Sequence, residues 1–260
     1  MQIELSLKNV SHSYSSLLAL DSVDIQHQGV GVIALIGANG AGKSTLLRSV
    51  VGAQKLSQGL ILLNQHEIYP ESKYRKQIGY LSEQNPLAHS LTVQEILLGS
   101  ALLHGVSYTQ YQSHIEEVLH SCDLFALRHR YCNTLSRGQR QRLGLASAIV
   151  HKPKLLILDE VHSGLDPLQT QAINKILNDL ATTTLIILST HRLTEAEKVA
   201  KWIWVLHQGK LLKQSSLISW QTEWKTLQDQ QNRNLSAATL SAQNTTWSLE
   251  KAYLDLIDKS

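Results

Sequence analysis

The sequence predicts an α/β fold on a mainly parallel sheet, with an antiparallel β subdomain and a helical insertion. Three observations carry this. Apolar runs at residues 30–36, 155–158 and 185–188 read as strands buried on both faces. Segments of helical character separate the runs, which is the alternation of a parallel sheet. From residue 92 to 150 β-branched runs thin out and the pattern turns helical.

Taken in order, Ile3-Leu5-Leu7 and Val23-Ile25 alternate with polar residues, as half-exposed antiparallel strands do. The buried run 30–36 follows, then a glycine-rich turn and an amphipathic helical pattern over residues 45–51. The helical insertion occupies about residues 85–150, and its last part, 140–150, reads as one helix. Residues 225–234 are polar and glutamine-rich and read as a linker or an exposed helix. Trp220 and Trp224 share a helical face at i, i+4 and are expected to pack the tail. Ser248 can N-cap a last helix whose apolar face is Leu249, Tyr253 and Ile257. The expected division is a domain over residues 1–215 and an extension over 216–260.

Composition narrows the class. The 260 residues are 43% hydrophobic and 17% charged, and 24 basic residues against 21 acidic ones leave a net charge of +3. With no basic block, nucleic acid is not an expected partner. No run approaches 18 apolar residues, so no membrane span is expected. The start, Met1-Gln2-Ile3-Glu4, has neither the basic nor the apolar region of a secretory leader. Cys122 and Cys132 are expected to be unpaired thiols, and the 12 histidines show no metal-ligand spacing.

Gly37-Ala38-Asn39-Gly40-Ala41-Gly42-Lys43-Ser44 fits the phosphate-loop pattern G-x-x-x-x-G-K-[ST] in full, between a buried strand and a helix. Such a loop aims backbone N–H groups at an anion, and the following helix adds its positive end. Lys43 is placed to reach the β- and γ-phosphates, and the Ser44 hydroxyl to bind Mg²⁺. The guanine-reading sequence Asn-Lys-x-Asp is nowhere present, which weakens a GTPase reading.

Leu155-Leu156-Ile157-Leu158-Asp159-Glu160 is an apolar strand ending in two acids. A strand buried on both faces delivers its C-terminal residues to a ligand crevice, so Asp159 can hold Mg²⁺ and Glu160 can polarise a water. Taken alone, such a run is more often a strand meeting a solvated loop. Ser136 and Gln139, in Leu135-Ser136-Arg137-Gly138-Gln139, form a capping box, which alone signals only a helix start.

In order and spacing, the phosphate loop, the serine-glycine-glutamine segment and the Asp-Glu strand together resemble the nucleotide-binding subunit of ABC transporters over roughly residues 1–215. The resemblance implies a P-loop NTPase core of the RecA-like kind that hydrolyses ATP with Mg²⁺. It implies Tyr14 as an adenine-stacking ring and Gln84 as a sensor of Mg²⁺ and the membrane partner. Asp166, in Ser163-Gly164-Leu165-Asp166, falls in the dimer-contacting loop, and His191 is the switch histidine. Implied catalytic residues are Glu160, His191 and Lys43; implied metal contacts are Ser44, Gln84 and Asp159. Implied nucleotide contacts are Tyr14, Gly37, Asn39, Gly40, Gly42, Lys43, Ser44, Thr45 and Gln84, with Ser136, Gly138, Gln139 and Asp166 supplied across a head-to-tail dimer.

Three positions depart from the pattern: Arg137 for the commonest glycine, Ala38 for a frequent proline, and Val161 for the proline after the acids. The segment from Pro86-Leu87 to Glu95 and the ending Ser248-Leu249-Glu250-Lys251-Ala252-Tyr253-Leu254 are similar to the exporter branch, in which the permease is a separate chain. The implied assembly is a homodimer, or a pair with a paralogous ATPase, on a membrane permease at the cytoplasmic face of the inner membrane. An importer ATPase, and a soluble ATPase acting on ribosomes or nucleic acid, are the alternatives.

Overall fold

The structure, a computed structural model, describes residues 3–69, 72–233 and 247–258. Met1, Gln2 and Asn234, read above as part of the chain start and the polar tail, lie outside the described residues.

β1 (Glu4–Tyr14) and β2 (Leu17–Gln28) pair antiparallel, as their alternation predicts. With β4 (Gln58–Leu63) and β5 (His66–Glu67) they make a four-stranded sheet in the order β2-β1-β4-β5. The second sheet contains β3 (Gly31–Ile36), β6 (Ile78–Leu81), β7 (Leu155–Asp159), β8 (Leu185–Thr190), β9 (Trp202–His207) and β10 (Lys210–Ser216). Its order is β10-β9-β3-β8-β7-β6, parallel throughout except where β10 turns back on β9.

Every residue of β3, β7 and β8 is buried, which is why these strands are unbroken apolar runs. The strand pleat sorts their side chains between two cores. Ile33, Leu35, Ile157 and Ile187 face Leu5, Leu7 and Ile25 of the antiparallel sheet and Leu46 and Leu47 of α1 (Lys43–Val50). Val32, Leu156, Leu158, Ile186 and Leu188 face the helical layer. Each such side chain contributes about 1.5–3 kcal/mol by leaving water. That layer is α3 (Val93–Leu103), α4 (Tyr111–Ser121), α5 (Arg137–Ile149) and α6 (Pro167–Leu180), and a short α2 (Ser72–Arg75) precedes β6. Thr92 starts α3 with a full capping box, its Oγ1 accepting from Glu95 N and its own N donating to Glu95 Oε2 at 2.8 Å.

A third cluster fastens the C-terminal segment. α7 (Leu193–Val199), α8 (Leu217–Arg233) and α9 (Leu249–Ile257) cover Ala34, Ile36, Ile203 and Val205. Residues 225–233 continue α8, the helix alternative of the two readings of this segment. Polar composition left a linker and an exposed helix open; the helix is held because Trp220 and Trp224 are buried and Trp224 Nε1 donates to Asp255 Oδ2 at 2.7 Å. Two anchors one turn apart hold a helix whose own polar side faces water. Ser248 caps α9 by accepting from Lys251 N at 3.3 Å, and Leu249, Tyr253 and Ile257 pack inward as expected.

Cys122 and Cys132 are free and buried, and burial pushes the Cys122 thiol up to about 12. Among the described residues no helix is long and apolar enough to cross a membrane, and no three or more His, Cys, Asp or Glu side chains gather as a metal-ion cluster.

Candidate functional site

The parallel strands deliver their C-terminal ends to one side, where the chain opens a cleft of about 630 Å³. The cleft is lined by Tyr14, Asn39, Gly40, Gly42, Lys43, Ser44, Thr45, Glu160 and His191, so the structure brings nine of the expected residues together. Leu17, Leu18, Glu83, Ser163, Gln208 and Gly209 line it too and were not expected. Gln208 and Gly209 form a two-residue turn between β9 and β10, both with positive φ, 46° and 80°. That turn bonds the phosphate loop, since Gly209 N donates to Ala41 O at 2.9 Å.

Gly37 leaves β3 so close to β9 that a Cβ would stand 2.3 Å from Leu206 O. Gly42 has φ +102° and would put a Cβ 2.5 Å from Ala19 O. Any side chain at either position would push the loop off its neighbours, so the two glycines are fixed by packing. The loop then enters α1 at Lys43, two residues before the predicted helix start. Lys43 is buried, and its Nζ donates to Gly37 O at 2.8 Å and Ala38 O at 3.1 Å. Burial lowers its pKa, while the carboxylates of Glu160, Asp159 and Glu83 work to keep it charged. An ammonium held among loop carbonyls beside open space suits a polyphosphate.

Asp159 ends β7 and is buried; its Oδ1 accepts from Ser189 Oγ at 2.6 Å. The same hydroxyl accepts from Glu160 N at 3.0 Å. Ser189, noticed in the sequence only as a neighbour of His191, therefore ties the two acids to β8. Glu160 lies beyond the strand with φ 52°, a left-handed turn that swings its side chain back over the cleft. Its Oε2 is 2.9 Å from His191 Nδ1. Asp159 and the Ser44 hydroxyl offer the hard oxygen donors that Mg²⁺ takes, so the donor set fits that ion.

Gln84 does not line this cleft. It lines an adjoining cavity of about 210 Å³ together with Glu160, Ser163 and Arg137. The next residue, Asn85, fixes this loop on α5 by donating from Nδ2 to Arg140 O at 2.9 Å. Its side chain lies against Gly144, where a Cβ would meet Asn85 Oδ1 at 2.2 Å.

Ser136, Gly138, Gln139 and Asp166 also lie outside the cleft. Ser136 N-caps the 13-residue α5 with a full capping box, accepting from Gln139 N at 3.2 Å while its own N donates to Gln139 Oε1 at 2.8 Å. Asp166 N-caps α6, accepting from Gln169 N at 2.8 Å. Gly138 packs on the Gln169 side chain, which joins the two caps. Arg137, the departure from glycine, donates to Ser163 O at 3.0 Å and lies against Gly164.

The sequence model of the ABC transporter family matches residues 20–163, which include the phosphate loop, the α5 cap and the Asp-Glu strand. The chain belongs to that family. It is an ABC ATP-binding protein, an ATPase whose hydrolysis of ATP is coupled to transport. An uncharacterized ABC transporter ATP-binding protein, YxlF of Bacillus subtilis, is 32% identical over 254 residues, 97% of this chain and 82% of that protein. The sulfate/thiosulfate import ATP-binding protein CysA of Thermosynechococcus vestitus is 32% identical over 211 residues, 80% of this chain, which spans 62% of that relative. A solved ATP-binding subunit of an ABC transporter is similar with a TM-score of 0.81 at 27% identity, covering 98% of this chain and 99% of that one. For an ABC ATPase, the cleft at the sheet's C-terminal edge is the candidate nucleotide site.

Proposed function

We propose that this chain drives export through a separate membrane permease, hydrolysing ATP at the interface of two copies arranged head to tail. The observation that carries the catalytic part is the Glu160–His191 contact at 2.9 Å, set over the phosphate loop in one cleft. In this reading Lys43 and the loop N–H groups hold the phosphates, and Tyr14 stacks on the adenine. Glu160 takes the proton of the attacking water. His191 holds that carboxylate and steadies the γ-phosphate. Ser44 and Asp159, with Gln84 nearby, would hold Mg²⁺, which supplies charge neutralisation on the phosphates.

The pairing follows from what the cleft lacks. Ser136 is exposed, and its Oγ spends an acceptor site on Gln139 N, leaving its O–H to donate to an anion. It stands at the positive end of α5, outside its own chain's cleft. A second copy, or a paralogue, would bring Ser136, Gly138 and Gln139 to the phosphates and Asp166 to the shared interface. Gln84 and the helices of residues 85–150 would pass the closing motion to the permease, placing the chain on the cytoplasmic face of the membrane. Residues 1–215 would form the ATPase unit and 216–260 a C-terminal extension.

Export rests on the segment up to Glu95 and on the C-terminal ending, both of which resemble the exporter branch in sequence. Import is the second reading, favoured by the likeness to CysA, a sulfate/thiosulfate import ATP-binding protein. The test is to trap Glu160→Gln with ATP and Mg²⁺ in native membranes and identify what co-purifies. A polytopic permease encoded without a binding-protein partner supports export. A permease that recruits a substrate-binding protein supports import, and ribosomal partners alone would sink both.

A further inference from the structure

Gln54 carries no motif, yet it bonds to two residues that line the nucleotide cleft, Tyr14 and Thr45. Tyr14 ends β1 at the cleft mouth as a residue 44% exposed, so burial alone does not fix its ring. Its hydroxyl donates to Gln54 Oε1 at 2.8 Å. The other end of the same amide donates from Nε2 to Ser49 Oγ at 2.9 Å and to Thr45 O at 3.1 Å. Ser49 Oγ in turn donates to Thr45 O at 2.9 Å, which locks both acceptors on α1. The His12 ring meets Tyr14 edge-on at 4.6 Å and blocks the other direction of swing.

We infer that Gln54 is a positioning residue for the base: it fastens the Tyr14 ring to the helix that opens with Lys43, so that base platform and phosphate cradle form one rigid unit. The inference rests on the ATP reading of the cleft and on Tyr14 as the stacking ring. The physics is that of preorganisation. A free ring at a strand end loses rotational freedom when a base stacks on it, whereas an anchored ring has lost it already. An amide is suited to the task because its oxygen and nitrogen face opposite partners, which leucine at this position could not serve.

The test is equilibrium binding of ATP and of inorganic triphosphate, with steady-state hydrolysis, to wild type, Gln54→Leu and Tyr14→Phe. Triphosphate has no base and reports on the phosphate loop alone. Losing one neutral hydrogen bond predicts an ATP affinity about three- to tenfold weaker in Gln54→Leu. Its KM should rise by a similar factor with kcat held, and its affinity for triphosphate should stay at the wild-type value. Tyr14→Phe keeps the ring and loses the hydroxyl, so it should weaken ATP at least as much, and adding Gln54→Leu to it should add little. Unchanged ATP affinity in Gln54→Leu overturns the inference, and so does an equal loss for ATP and triphosphate, which would mark a general slackening of α1. A wild-type protein that binds triphosphate as tightly as ATP would remove the base-stacking reading itself, and the inference with it.

Discussion

The two ends of the parallel sheet carry very different clefts. At the C-terminal ends of the strands lies the cleft of about 630 Å³ that holds Lys43, Glu160 and His191. At the opposite end, where Pro153 precedes β7 and Thr184 precedes β8, lies a larger one of about 840 Å³ between α4 and α6. The larger cleft has an apolar floor of Val118, Ile149 and Ile176, and several of its charges neutralise one another. Lys152 pairs with Glu117 at 2.6 Å and Arg142 with Asp123 at 2.5 Å. The smaller cleft instead holds a buried lysine on backbone carbonyls, a glutamate in a left-handed turn and a glycine loop packed against main chain. Size does not mark the site. Strain and groups held ready for a charged ligand do.

That contrast is open to breaking by substitution. The largest expected effect is Glu160→Gln, which should lower ATP turnover by on the order of 10²–10⁴-fold. ATP should still bind that variant, so turnover near wild type in a steady-state assay would remove Glu160 from the chemistry. Lys43→Ala should weaken ATP by roughly 2–5 kcal/mol, because a buried charged donor is truncated opposite an anion. Calorimetric titration measures it, and wild-type affinity would contradict the phosphate-loop role. Trp224→Ala should lower stability by about 3–5 kcal/mol through loss of a buried ring. Thermal unfolding tests this, and an unchanged midpoint would mean that the tail is not fastened to the core.

The histidines give a pH prediction away from both clefts. Burial holds His27 and His151 down to about 4, aided by the charge of Lys201 for the first and His104 for the second. Both are neutral in the fold and protonate more readily when it unfolds, so the unfolded state binds more protons between about pH 6.5 and 4. Stability is therefore full above about 6.5 and falls as the pH drops through this window. Denaturant midpoints at pH 7 and pH 5 should differ in that direction, and less so in His151→Gln. The smallest effect belongs to the large cleft: Lys154→Ala and Lys175→Ala should leave ATP turnover within about twofold and stability within about 0.5 kcal/mol. A tenfold drop in turnover would erase the contrast between the two ends.

Legibility in the sequence followed the same physics. β3, β7 and β8 were readable because burial on both faces demands continuous apolar runs. The edge strand β6 was not, since it is four residues long with Gly79 inside it. The starts of α5 and α9 were marked by Ser136 and Ser248, whose side chains act within one turn of their own position. Helix α8 was ambiguous because its order comes from Asp255 and the β9 face, which are distant in the chain. The site divides likewise. The phosphate loop is contiguous and announced itself, whereas Leu17, Leu18 and the Gln208-Gly209 turn reach the cleft only by tertiary approach. Gln54 had no signal at all, because its function lies in three bonds that no local pattern encodes.

The most direct measurement is photolabelling with 8-azido-ATP followed by mapping of the labelled peptide. The account predicts label in the segment from Tyr14 to Ala19, beside the phosphate loop, with competition by unlabelled ATP and loss in Lys43→Ala. Label in residues 117–123 or 172–184, lining the larger cleft, would place the nucleotide at the wrong end of the sheet and contradict it.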